Sequence, residues 1–78
     1  MSDIQERLDD TKTRITTLLH HLQGCARAYE EATWQFDPET AMATKQMIAD
    51  YKVKICKDLV ELSQMQETYE RALTLENT

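Results

Sequence analysis

Residues that make turns are almost absent from this sequence: it has one glycine, Gly24, and one proline, Pro38. A fold of many short elements needs such residues at its joints, so few elements are possible here. Aromatic residues are sparse at 6%, while Ala, Leu, Glu, Gln, Lys, Arg and Met abound, which is the composition of long helices. No apolar run approaches the ~18 residues of a transmembrane helix, so no membrane insertion is expected. The opening Met1-Ser2-Asp3-Ile4-Gln5-Glu6-Arg7 has neither a basic n-region nor an apolar h-region. No Sec-type signal peptide is therefore expected, and the expected compartment is the cytoplasm. Basic residues are outnumbered, 9 against 14 acidic, for a net charge of −5. That balance argues against nucleic acid or an anionic membrane as the main ligand.

What the chain does have is two long stretches of helix pattern separated by Phe36-Asp37-Pro38-Glu39. Proline fits the first position of a helix because that position needs no N–H. Asp37 before it suits an N-cap, and Glu39 adds negative charge where the helix dipole favours it. The residue before a proline is also pushed away from the α region, so a helix arriving from the left stops there. The expected fold is all-α: a two-helix antiparallel hairpin, coiled-coil-like, turning at Asp37-Pro38. It forms one domain over residues 1–78, with helices of about 3–35 and 38–75. An unbroken helix in a longer coiled coil is the alternative. A hairpin of this size has poor surface-to-volume scaling, and such chains usually need a staple, a metal or a partner.

The first helix opens on Ser2-Asp3-Ile4-Gln5, a capping-box pattern in which Ser2 and Gln5 satisfy each other's free amides. Its seam steps by fours and threes through Ile4, Leu8, Thr11, Ile15, Leu18, Leu22, Cys25, Tyr29, Ala32 and Phe36. Leu19, Ala26 and Thr33 are expected to widen that stripe. The second helix carries Ala41, Thr44, Ile48, Tyr51, Ile55, Leu59, Leu62, Met65, Tyr69 and Leu73. Two successive steps of four at Tyr51, Ile55 and Leu59 form a stutter that locally unwinds a supercoil. Folding the seams antiparallel predicts pairs such as Tyr29 with Thr44, Cys25 with Ile48, and Leu18 with Ile55. Gly24 is either a tolerated interior glycine or a point of close approach.

A second apolar stripe exists on the second helix alone. Met42, Val53, Cys56 and Val60 lie about 100–120° from the main seam by the helical period. A two-helix hairpin buries one stripe per helix, so these four have no place inside it. They are the candidate partner-binding residues, against the alternative that they are scattered surface apolars. Trp34 also falls off its seam and is expected either to cap the turn or to touch another chain.

Chemistry is not visible. His20 and His21 are adjacent, so their side chains diverge by about 100° and cannot chelate one ion together. His21 and Cys25 offer only two ligands where structural zinc wants four. No Ser/His/Asp set, glycine-rich phosphate loop or HExxH is present, so no enzyme activity, cofactor or metal is expected. Lys45, Lys52, Lys54 and Lys57 spread around their helix with Asp50 and Asp58 among them, as on a solvated face. In the predicted register Cys25 and Cys56 are offset by on the order of 10 Å along the hairpin, too far for a disulfide. Both are expected to be small, buried or half-buried apolar residues.

The length, the opening Ile4-Gln5-Glu6-Arg7-Leu8-Asp9-Asp10, the mid-chain Asp37-Pro38, the run Met47-Ile48-Ala49-Asp50-Tyr51 through Ile55, and the late Tyr69-Glu70 together resemble a known family. This is the small helical-hairpin co-chaperones of bacterial type III secretion, the minor subunit of a heterodimer that keeps the needle protein soluble in the cytoplasm. The resemblance implies a hairpin that packs against a helical-repeat partner chaperone, the two together shielding the needle subunit's C-terminal helix. Asp37-Pro38 followed by a Tyr-containing helix also looks like the needle and inner-rod subunits themselves. Those usually begin with a polar, disordered arm, whereas this chain is helix-patterned from Ser2. Three classes thus stand open: a co-chaperone or adaptor hairpin, a self-assembling structural subunit, and an enzyme. The expected partner is a helical-repeat chaperone, the needle subunit, or a second copy in a homodimer.

Overall fold

The computed structural model of the chain describes residues 3–77. It contains two helices, α1 over Asp3–Gln35 and α2 over Pro38–Glu76, packed side by side, and no strand among those residues. Ser2, one half of the predicted capping box, lies outside the described residues. The body measures 60 × 16 × 13 Å. A helix of 39 residues is about 58 Å long at 1.5 Å per residue, so α2 alone sets the long dimension and α1 is folded back along it.

The turn works as its residues dictate. Asp37 is extended, with φ −63° and ψ 160°, and Pro38 takes the first helical position after it. The Asp37 carbonyl accepts the first helical hydrogen bond of α2 from the Ala41 amide at 2.8 Å. Its carboxylate accepts a longer one, 3.4 Å, from the Thr40 amide. Hydrogen bonding from Thr40, the side chain first and the backbone amide second, holds the Asp37 carboxyl below its ordinary pKa. The far end closes on Asn77, whose amide donates to the Leu73 carbonyl at 3.0 Å.

The buried set is short: Leu8, Thr11, Cys25 and Ala32 from α1, Ala41 and Ile55 from α2. All six lie on the seams that the periodicity marks out. Ile55, 2% exposed, is the largest side chain wholly enclosed. Along the same two seams Ile4, Ile15, Leu18, Leu22, Ile48, Leu59, Leu62, Tyr69 and Leu73 are half-buried. The register agrees with the predicted one near the turn. The Lys45 ammonium sits 5.1 Å from the centre of the Tyr29 ring, one position from the predicted Tyr29–Thr44 pair. Cys25 and Ile48 line the same groove.

Threonine suits helix interiors poorly, yet α1 holds Thr11, Thr13, Thr16 and Thr17. Each hydroxyl donates to the carbonyl four residues earlier, at 2.7 to 3.1 Å. Thr11 can therefore be buried on an apolar seam without leaving an unsatisfied hydroxyl.

Two expectations need correction. Leu19, Ala26 and Thr33 do not widen a buried stripe: all three are exposed. The large seam residues Tyr29, Phe36, Tyr51 and Met65 are likewise exposed over nearly half their surface. The reason is geometric. Two cylinders touch along a line, and residues flanking that line stay open unless a third element covers them. Gly24 is not a point of close approach either, because a Cβ placed there meets nothing within 4 Å. It is a helix defect with no packing role. Replacing Gly24 with Ala should raise the unfolding free energy by about 1 kcal/mol, read as a higher urea midpoint at an unchanged slope. A loss of stability would mean that the exposed face around Gly24 has a contact the hairpin alone does not show.

Candidate interaction surface

The residues singled out for partner contact are all on the outside. Met42 is 71% exposed, Val53 69%, Val60 58% and Trp34 82%. Cys56 is exposed as well, which corrects the expectation of a buried or half-buried thiol, while Cys25 is buried on the α1 seam. Trp34 does not cap the turn. It stands out into solvent, one step round α1 from Thr33.

Ala49 joins the group, and it went unrecognised in the sequence because alanine carries little hydropathy signal. It is half-buried and lines a groove with Cys25, Ala26, Tyr29, Ile48 and Lys52. With it included, Met42, Ala49, Val53, Cys56 and Val60 step by seven, four, three and four, which is a heptad seam in its own right. That spacing was the available signal. At about 100° per residue these five lie roughly 100–160° round α2 from Ile55, always on the same flank.

The α1 residues that failed to be buried belong to the same flank. Ala26 shares the groove of Ala49, and Thr33 shares the next groove toward the turn with Met42 and Lys45. Leu19 is one heptad before Ala26, at the level of Val53 and Cys56 in the observed register. The structure therefore brings Ala26 and Thr33 of α1 beside Ala49 and Met42 of α2 along two neighbouring grooves that form a shallow trough, and by the helical period Leu19, Val53, Cys56 and Val60 continue the same flank away from the turn. Met47 and Met65 lie on the other flank, about 80° from Ile55 in the opposite sense. There a second groove is lined by Arg14, Thr17 and Leu18 of α1 and by Asp58, Glu61 and Leu62 of α2.

Among the described residues no three His, Cys, Asp or Glu side chains are grouped to hold a metal ion, and no helix is long and apolar enough to cross a membrane. The ion pairs Arg14–Asp10 and Arg71–Glu67 are exposed, one helical turn apart, and worth a few tenths of a kcal/mol each at most, roughly. Comparison of the chain with protein-family models, with curated proteins and with solved structures gives no match.

The two cysteines report on the two kinds of surface. Cys56 should react quickly with a thiol reagent in the folded protein, and Cys25 only after denaturant is added. Equal rates for the two in native buffer would contradict the placement of Cys25 on the closed seam.

Proposed function

We propose that the chain is a non-catalytic interaction subunit that acts by laying its open apolar face against a helical protein partner. The observation that carries this reading is the second heptad seam, Met42, Ala49, Val53, Cys56 and Val60, on a helix whose first seam is already occupied by α1. Scattered surface apolars do not repeat at heptad spacing beside a matching half-stripe on the neighbouring helix.

Surface area supports it. The chain exposes 6164 Å². A compact monomer of 9.1 kDa exposes roughly 4,900 Å². The excess, about 1,300 Å², exceeds the ~800 Å² that each side of an ordinary protein–protein interface buries. A partner covering one flank would bring the hairpin to the surface economy of a stable domain.

The particular role we propose is that of a cytoplasmic co-chaperone of the type III secretion needle protein, paired with a helical-repeat chaperone. Its support is the resemblance of length, opening segment, turn and second-helix run, together with a hairpin core that is thin along its whole length. The self-assembling needle or inner-rod reading is the second one, favoured by the same Asp37-Pro38 turn. The two part on behaviour in dilute solution, where a co-chaperone forms a complex of fixed mass and a structural subunit polymerises with concentration.

Substitution separates the two seams. Val53→Asp with Val60→Asp should leave helicity by circular dichroism nearly intact and weaken capture of the partner co-purified from the native host by about a hundredfold, because the partner would bury uncompensated carboxylates. Ile55→Asp, at a position 2% exposed, should instead abolish helicity. A double variant that captures its partner normally, or that unfolds as Ile55→Asp does, would remove the stripe as the interface.

A further inference from the structure

Charge on the open face says what kind of helix belongs there. Lys52 lines the trough at its middle, beside Ala26 and Ala49, and Lys45 lines it at the turn end, beside Thr33 and Met42. The two are seven residues apart, so they stand on the same side of α2 about two turns from each other. Lys45 is half-buried, with its ammonium over the Tyr29 ring at 5.1 Å. Neither lysine is ion-paired with a carboxylate among the described residues, although acidic side chains outnumber basic ones along the chain. On the opposite flank Asp58 and Glu61 line the groove with Arg14, whereas the two grooves of the open face are lined by Lys45 and Lys52 and by no acidic side chain.

We infer that the trough seats an amphipathic α-helix of a different chain, one that carries an apolar seam flanked by two carboxylates about two turns apart, set to meet Lys45 and Lys52. The inference rests on the proposed interaction function and adds the chemistry of the partner. A trough between two antiparallel helices is the shape that a third helix fills. The stretch from Met42 to Val60 is about 27 Å long, enough for five turns of partner. Ala26 and Ala49 at its floor keep side chains short where a backbone comes closest. An occupant that brought no negative charge would cover two lysine heads without compensating their lost hydration. A second copy presenting this same face fits poorly, since it would carry two further lysines toward a trough that holds two, against one carboxylate, Glu30, that the helical period puts on the same flank of α1.

Two synthetic peptides of about 20 residues test this, each helical with a Leu seam. One has Glu at two flanking positions seven apart, and the other has Lys there. Titrated into the full chain, the Glu peptide should slow the reaction of the Cys56 thiol and bind about tenfold more tightly than the Lys peptide, with the advantage shrinking as salt is added. Lys45→Glu with Lys52→Glu should reverse the preference. Lys45→Gln with Lys52→Gln, which keeps side chains of similar reach, should erase it while circular dichroism stays unchanged. Protection of Cys56 by both peptides equally would overturn the charge assignment while leaving the interaction face standing. Protection of Cys56 by neither would overturn the trough as a helix site. Protection that grows with protein concentration in the absence of peptide would assign the trough to a second copy and overturn the inference.

Discussion

Two helices joined by one turn can bury a single line of side chains each, and every other property of this protein follows from that limit. The line is well made: Leu8, Thr11, Cys25 and Ala32 of α1 and Ala41 and Ile55 of α2 are buried, and among the described residues Ile55 is the largest side chain fully enclosed. Burying one such side chain is worth about 1.5–3 kcal/mol, so a core of this depth leaves a thin margin over the entropy of ordering 72 helical residues (33 in α1 and 39 in α2). The hairpin is held in shape by its turn and its seam, and its stability has room to gain from whatever covers the rest.

That room is not evenly distributed. One flank is apolar, built from Met42, Ala49, Val53, Cys56 and Val60 on α2 with Leu19, Ala26 and Thr33 on α1. The other sets Asp58, Glu61 and Arg14 beside Leu18, Leu62 and Met65 around its groove, so its apolar surface is interrupted by charges of both signs. A homogeneous rod would offer partners no orientation. This one offers a front and a back, and the lysines at the front give the front a sign. A partner helix laid along it would extend the same heptad logic that joins α1 to α2, so folding and binding would be successive uses of one packing geometry.

Most of the fold was legible in the residues because helix, turn and seam each have a local cause. Proline after aspartate fixes the break within a residue, and steps of four and three pick out all six of the buried side chains. Three things were not legible. The width of the buried stripe depends on how many neighbours a helix has, which Leu19, Ala26 and Thr33 cannot announce by themselves; with one neighbour they stay open. The union of the two half-stripes depends on register across the turn, and Ala49 contributes shape rather than hydropathy. Lys45 was hidden for a related reason. Its place over the Tyr29 ring arises from packing between helices, whereas in sequence it reads as one more surface lysine.

The central claim, that the flank bearing Met42 is the one a partner covers, can be read at single side chains by oxidative footprinting of methionine. Met42 and Met47 are almost equally exposed, at 71% and 72%, and they lie on opposite flanks. In the complex co-purified from the native host, oxidation of Met42 should fall sharply against the free hairpin, while Met47 and Met65 oxidise at their former rates. Protection of Met47 and Met65 with Met42 left open would place the partner on the other flank and contradict the account.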